Sequence, residues 1–250
     1  MKGIDNKPYI DCAQYLEMDK LKDLNLEICS GIALSKMQAG IYGPGIVNAE
    51  KYGNFLFYQK EINEKPELVE AYRWNKMDQT QRRLFLKLYK GLYSPNNSVY
   101  LKEAKDYTNL QVYLDKANDT LYDWNGNVKH FPKLKEWLDS LIGTVFTHFG
   151  RTIFFIHEHD CELLTHRDGT KYREHNSEFL WLNPMGTKSF YVYNEDTGDQ
   201  HYVSTSAAFF NDLDMHGGDP VSSMTWSLRI DGVFTEGFRK QIGVSHLPNY

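Results

Sequence analysis

The feature that most constrains the fold is a series of short strand-like runs after Gly150. These runs are rich in aromatic and β-branched residues and are separated by the turn sequences DG, PMG, TGD and HGGDP. Short strands at regular intervals with turn signals between them are typical of a sandwich or a barrel of jelly-roll type. The runs are RTIFFIHEHD, SEFLWLNP, KSFYVYNED, HYVSTSAAFF and SMTWSLRIDGVF.

The N-terminal half has a different pattern, in which apolar residues recur among charges. Residues 67–93 predict one or two amphipathic helices, and residues 131–150 predict another that starts near Pro132. SPNNS at 94–98 predicts a turn, and the Asn-Gly pair at 125–126 predicts a hairpin turn.

These patterns predict an α+β fold with a double-stranded β-helix, or jelly-roll, core. A chain of 250 residues suits one large domain. We therefore predict a single domain over 1–250, in which a mixed, mainly helical supporting region at 1–130 packs on a jelly-roll core at 131–250.

Charge and hydropathy narrow the range of partners. The formal net charge of −5 and the lack of a concentrated basic stripe give little support for binding to nucleic acid. No stretch approaches 18 uninterrupted apolar residues, and no segment near residue 1 combines a positively charged region with an apolar one. We expect a cytoplasmic protein that acts on a small-molecule, amino acid or peptide substrate, away from membranes.

The first chemical motif is CELLTHRDG at 161–169, in which His166 and Asp168 follow a short apolar step. Residues two apart on a strand share a face, so this pair could grip one metal ion. The alternative interpretation of these residues is a turn at Asp168-Gly169 beside an ordinary histidine at the end of a strand. The H-x-D motif alone is not specific.

Two later strands add to the motif. AAFFNDLDMHGGDP places His216 at the end of an apolar run, beside glycines that permit close backbone approach, and TWSLRIDG places Ser227 and Arg229 on one strand face. Two imidazoles and one carboxylate are the ligand set of non-haem Fe(II) oxygenases. We therefore predict that His166, Asp168 and His216 bind the metal and form the catalytic centre.

The order H-x-D, then histidine, then arginine, in a jelly-roll region, resembles the Fe(II)/2-oxoglutarate-dependent dioxygenases over roughly residues 131 to 240. The resemblance implies a double-stranded β-helix core, Fe(II), O2 and 2-oxoglutarate as co-substrate, and hydroxylation of a second substrate with release of succinate and CO2. It also implies that Arg229 pairs with the distal carboxylate of 2-oxoglutarate. The interval from His216 to Arg229 is 13 residues, whereas about ten is common in the family.

Other residues could share the co-substrate site. A planar guanidinium suits a carboxylate, and the hydroxyls of Ser227, Tyr191 or Tyr193 could add donors. Lys188 and Arg173 are alternatives to Arg229, which could instead be a surface strand arginine paired with Asp231 or Glu236.

Arg173 is also a candidate for binding the substrate. It lies in residues 170–178, which follow the H-x-D motif as a loop between strands, and loops on a rigid scaffold commonly carry binding residues. If this loop overhangs the metal, Arg173 would bind an anionic group of the substrate, and a solvated connector is the alternative. His157 and Trp181 are further candidates for the substrate site.

Two other classes of function remain open. His157 and His159, with Glu162, resemble the first metal motif of a cupin-type dioxygenase, and we expect both histidines to share a strand face. PMGTKSFYVYNED lacks the histidine that a second cupin motif needs. A non-catalytic jelly-roll binding module could instead use Trp181, Tyr191 and Tyr193 as stacking platforms.

Overall fold

The strands lie in two antiparallel sheets. The computed structural model describes residues 1–42, 78, 80–81, 94–168 and 177–244, and the account below concerns these residues. In chain order the strands are β1 (Tyr9–Asp11), β2 (Gln38–Tyr42), β3 (Ser94–Ala104), β4 (Tyr122–Trp124), β5 (Phe146–His157), β6 (Leu163–His166), β7 (Phe179–Leu182), β8 (Tyr191–Tyr193), β9 (Gln200–Tyr202), β10 (Ala207–Phe210), β11 (His216–Gly218) and β12 (Thr225–Phe234).

The larger sheet has the order β1-β10-β7-β12-β5-β3-β2, with β4 paired to β3, and the smaller sheet has the order β6-β11-β8-β9. The described helices are short: α1 (Met18–Asp23), α2 (Asn25–Leu34), α3 (Gln111–Leu114), α4 (Pro132–Ser140) and α5 (Glu236–Ile242). One-turn 3₁₀ segments occur at Ala13–Tyr15, Asp119–Leu121 and Gly126–His130.

Strand β5 shows why the larger sheet is buried on both faces. The Phe154 ring stacks on Phe131, which leads into α4, and meets Trp226 of β12 edge to face. The Trp226 indole in turn donates to Asn25 at the start of α2. The helices therefore cover one face, which leaves the alternate residues of β5 for the interior between the two sheets.

The described part of the N-terminal region contains strands that the sequence did not predict. β1 pairs with β10, and β3 pairs with β5, so residues from the first 130 extend the larger sheet. The single domain with its division at residue 130 stays a prediction. The helices predicted within 67–93 lie almost wholly outside the described residues.

Local predictions had mixed outcomes. The helix at Pro132 is confirmed, with the proline in the first turn. The predicted turn at 94–98 is wrong, because these residues pair with β2 as part of β3. The predicted hairpin turn is also wrong, because Asn125 instead caps a 3₁₀ segment by accepting from the Asn127 backbone N–H. The run HYVSTSAAFF divides between β9 and β10.

No helix in the described ranges is long and apolar enough to cross a membrane. A cytoplasmic location stays a prediction.

Candidate functional site

The register of the smaller sheet brings two histidines together. His216 of β11 and His166 of β6 are direct cross-strand partners, and their ring centroids lie 4.6 Å apart. Asp168 follows β6, and its backbone N–H donates to the Asp212 carbonyl at 2.9 Å. One ligand atom from each of His166, Asp168 and His216 lies within 4.8 Å of the other two. The predicted metal-ligating residues are therefore brought together.

Hydrogen bonds to the backbone orient both imidazoles. His166 Nδ1 lies 2.7 Å from the Leu164 carbonyl oxygen, and His216 Nδ1 lies 2.9 Å from that of Asp214. A carbonyl can only accept, so Nδ1 donates and the Nε2 of each neutral ring carries a lone pair. The two Nε2 atoms lie 3.5 and 3.8 Å from the same oxygen, Asp168 Oδ1. Three electron-pair donors thus converge, an arrangement that suits a cation.

The surroundings act on the two imidazoles in opposite directions: against the effect of burial, the hydrogen bond to Asp168 and the charge of Asp168 raise the pKa of His166. Burial, reinforced by neighbouring His166, lowers the pKa of His216 to about 4. Against the effect of burial, the hydrogen bond from His166 and the charges of Lys116 and Arg229 hold the pKa of Asp168 well below its usual range. A neutral imidazole and an ionised carboxylate are the forms that ligate divalent metals, so the surroundings favour the ligating form of His216 and Asp168, whereas His166 reaches it by releasing a proton.

Arg229 is bound by carboxylates on three sides. It donates from Nη1 to Asp168 Oδ2 and from Nη2 to Asp212 Oδ2, both at 2.6 Å. Its Nε donates to Asp231 Oδ1 at 2.9 Å, and its guanidinium lies 3.8 Å from the centre of the Phe179 ring. Arg229 therefore occupies the second oxygen of Asp168 and leaves Oδ1 towards the imidazoles. The pairing with Asp231 considered from the sequence exists, but both groups are buried.

Glycines let the strands around His216 approach closely, as the sequence indicated. A Cβ on Gly217 would lie 2.7 Å from the Tyr191 hydroxyl, and one on Gly218 would lie 2.5 Å from the Ser189 carbonyl oxygen. Any larger side chain would therefore displace β11, which carries His216.

A cavity of about 100 Å³ adjoins the three ligand residues and lies between the two sheets. Lys188 enters it from the segment before β8. Its side chain is buried, and its Nζ donates to Ser227 Oγ at 2.8 Å. Burial lowers the pKa of Lys188 to about 7. The cavity is lined by Tyr100, Arg151, Ile153, Phe155, His157, Leu163, His166, Asp168, Trp181, Lys188, Phe190, Phe210, His216 and Arg229.

The other predicted site residues divide into two groups. His157 and Trp181 line the cavity, and His157 Nδ1 is buried with no hydrogen-bond partner in the described ranges. Tyr191 and Tyr193 are not among the lining residues, and the Tyr191 hydroxyl bonds Thr165 Oγ1 at 2.7 Å instead. Arg173 lies outside the described residues, so its role stays a prediction.

The expectation that His157 and His159 share a strand face is wrong. Strand β5 ends at His157, and His159 lies in the following turn, where its side chain is 61% exposed and pairs with Asp160. Within the described ranges, His166, Asp168 and His216 form the group whose spacing could hold a metal, and neither His157 nor His159 belongs to it. The cupin alternative therefore loses its ligand set.

Three residues of this site were not assigned a role from the sequence: Arg151, Asp212 and Tyr100. The sequence pattern around each residue is weak evidence for a role, because the three residues lie on different segments. They come near the site only when the strands pair. Asp212 stands four residues before His216, in a stretch that reads as an ordinary turn. Only Arg151, on a strand with alternating inward residues, could have been placed on the cavity face.

Comparisons with known proteins give likenesses of fold at low identity. No protein-family model matches the chain, and no curated protein matches it. Among solved structures, a 2OG-Fe(II) oxygenase family oxidoreductase from Burkholderia pseudomallei is 11% identical with a TM-score of 0.35, over 62% of this chain and 79% of its own.

Two further solved structures are prolyl hydroxylases. The prolyl-4-hydroxylase of Pseudomonas putida is 10% identical with a TM-score of 0.30, over 56% of this chain and 72% of its own. The collagen prolyl hydroxylase of Paramecium Bursaria Chlorella virus-1 is 9% identical with a TM-score of 0.29, over 55% of this chain and 80% of its own. These neighbours belong to the family that the H-x-D and histidine order resembles. At such TM-scores the functional argument rests on the geometry of the site.

Proposed function

We propose that the chain is an Fe(II)- and 2-oxoglutarate-dependent dioxygenase that hydroxylates a small-molecule, amino acid or peptide substrate. The observation that carries the proposal is the convergence of three atoms that can ligate a metal, the Nε2 atoms of His166 and His216 and Oδ1 of Asp168. Two nitrogens and one oxygen from three residues leave other positions open on a metal, as in the facial triad of Fe(II) oxygenases.

The contacts around these atoms hold the three side chains in the orientation that a metal site requires. Backbone carbonyls fix both imidazole tautomers, and Arg229 holds Asp168 Oδ2. Such outer contacts orient metal ligands and are needed for full affinity. When bound, Fe(II) with 2-oxoglutarate supplies the activation of dioxygen that yields succinate, CO2 and an oxidised second substrate.

We assign the distal carboxylate of 2-oxoglutarate to Lys188 in preference to Arg229. The guanidinium of Arg229 already donates to three carboxylates, whereas Lys188 has no carboxylate partner among the described residues. A buried ammonium without a counter-ion is costly, and the carboxylate of a bound co-substrate removes that cost. Ser227 does not line the cavity, but its Oγ accepts the hydrogen bond from Lys188, so it supports the proposed co-substrate end through that contact. Neither Tyr191 nor Tyr193 lines the cavity, so we assign neither of them to 2-oxoglutarate binding.

The test combines anaerobic spectroscopy with product analysis. Fe(II) and 2-oxoglutarate together should produce a visible charge-transfer absorption that neither produces alone, and air should then yield succinate. His216→Ala should abolish stoichiometric Fe(II) binding, whereas the matched control His159→Ala should leave it unchanged. A protein that binds Fe(II) but shows neither the absorption nor succinate would be a metal-binding module, and the proposed function would be wrong.

A further inference from the structure

Arg151 is a cavity residue that the metal and the co-substrate leave unused. On β5, Arg151, Ile153, Phe155 and His157 alternate along the face that lines the cavity. Arg151 Nε donates to Asp231 Oδ2 at 2.7 Å, while its Nη2 is buried and has no hydrogen-bond partner among the residues that the structure describes. A buried donor without a partner costs free energy, and such groups in a cavity are commonly satisfied by a ligand.

The charges around the two arginines are unequally distributed. Asp231 binds both, through Oδ1 to Arg229 and through Oδ2 to Arg151. Within the described part of the chain, Arg229 has two further carboxylate partners, whereas Arg151 has Asp231 alone and shares it with Arg229. Arg151 is therefore the guanidinium of this pair that can accept another anion.

Arg151 lies away from Lys188, the residue proposed to bind 2-oxoglutarate. Along the inward face of β12, Ser227, Arg229 and Asp231 follow at intervals of two residues, so Ser227 and Asp231 are roughly 13 Å apart along the strand. Lys188 contacts the first of these three and Arg151 the last. Arg229, which holds the metal ligand Asp168, stands between them. A co-substrate that reaches from the metal to Lys188 therefore extends away from Arg151.

We propose that Arg151 binds a carboxylate of the substrate that is oxidised, with Tyr100 completing that end of the cavity. The inference rests on the proposed function for the identity of that substrate. Tyr100, which lines the cavity, lies opposite Ile153 in the pairing of β3 with β5. Because Asp231 occupies Nε, the edge of the guanidinium that carries Nη2 remains for the ligand. A carboxylate binds such an edge with charge-assisted hydrogen bonds. The substrate class is therefore a carboxylic acid, such as an amino acid, a peptide with an acidic group or a small organic acid.

The experiment uses matched acid and amide probes. Free amino acids, dipeptides and small organic acids are each paired with the corresponding carboxamide. Binding to the full chain loaded with Mn(II) and 2-oxoglutarate is measured by calorimetry without oxygen. The wild type should bind at least one acid more tightly than its amide, and Arg151→Gln should weaken that acid by about 30-fold and leave its amide unchanged.

Two further variants separate the possible causes. Arg151→Lys should retain part of the preference for the acid, and Arg167→Gln should retain all of it, because the Arg167 side chain is bound to Glu195 at the surface. The 2-oxoglutarate affinity should be unchanged in Arg151→Gln. Loss of 2-oxoglutarate binding instead would overturn the assignment, because Arg151 would then serve the co-substrate.

Failure of the inference differs from failure of the proposed function. If Fe(II) and 2-oxoglutarate form no complex, the proposed function is wrong, and the acid and amide probes are then compared on the metal-free protein. If no acid binds the wild type more tightly than its amide in either form, Arg151 has no anionic ligand and the inference is wrong. This comparison needs no variant, so it holds even if Arg151→Gln does not fold.

Discussion

Arg229 and Lys188 are two buried cations in the wall of one cavity, and they differ in what surrounds them. Arg229 donates to Asp168, Asp212 and Asp231, whereas Lys188 donates to the neutral hydroxyl of Ser227. The comparison teaches that a cation already neutralised by protein carboxylates serves the architecture of a site, while one without a counter-ion is suited to a charged ligand.

The largest expected effect comes from Arg229→Met, which leaves three carboxylates close together without their shared cation. We expect the free energy of unfolding to fall by roughly 3–5 kcal/mol, the cost of breaking a buried ion pair. Fe(II) affinity should fall by about 10- to 100-fold, because Asp168 loses the contact that orients it. Urea unfolding and metal titration measure the two effects, and unchanged stability would show that the three carboxylates do not depend on Arg229.

The matched variant Lys188→Met should behave in the opposite way. Lys188 is a desolvated ammonium for which the described residues supply no carboxylate partner, so its removal should leave the free energy of unfolding unchanged or raise it. Binding of 2-oxoglutarate should weaken by roughly 2–5 kcal/mol, the range for truncating one partner of a buried charge pair. Calorimetry with the Mn(II)-loaded protein measures this. If Lys188→Met binds 2-oxoglutarate normally while Arg229→Lys does not, the assignment returns to Arg229.

The pH dependence of co-substrate binding should identify Lys188 as the titrating group. Burial lowers the pKa of Lys188 to about 7, and a bound carboxylate favours the charged form and raises it again. Between the free and the bound pKa, binding takes up a proton, so affinity falls by up to about tenfold per pH unit as pH rises. Calorimetry in buffers of different ionisation enthalpy measures the proton uptake, which should vanish in Lys188→Met.

Stability should change with pH in the opposite direction. The ordinary pKa of lysine is 10.5, so above pH 7 the unfolded chain holds this proton more often than the folded protein. The contribution of Lys188 to the free energy of unfolding therefore rises with pH between these values. The difference between wild type and Lys188→Met isolates it, and a difference that falls with pH would contradict a depressed pKa.

The smallest expected effect comes from Tyr191→Phe, which tests whether Tyr191 lies outside the co-substrate site. Tyr191→Phe removes the hydrogen bond with Thr165 and should cost about 1 kcal/mol of stability. Because Tyr191 does not line the cavity, 2-oxoglutarate affinity should not change. A loss of affinity without a loss of stability would restore the co-substrate role predicted from the sequence.

The sequence singled out the three residues that the structure brings together as a possible metal site, because their pattern is local to strand ends. His166 and Asp168 are two residues apart, and His216 stands beside two glycines whose small size the close strand packing requires. Alternation along strands likewise predicted β5, β7, β8 and β12 from aromatic runs. Where the pattern was weak, as at residues 94–98, pairing with a distant strand overrode the local turn signal.

By itself, then, the sequence determined the sheet-rich C-terminal half and the three residues that could bind a metal, since both follow from short-range spacing. Only the tertiary structure decided the roles of the cations. Arg229 meets Asp168 and Asp212 from segments 61 and 17 residues away, and Lys188 meets Ser227 across 39 residues. Whether a buried charge is neutralised depends on such distant partners and on the exclusion of water, and neither is encoded in the neighbouring residues.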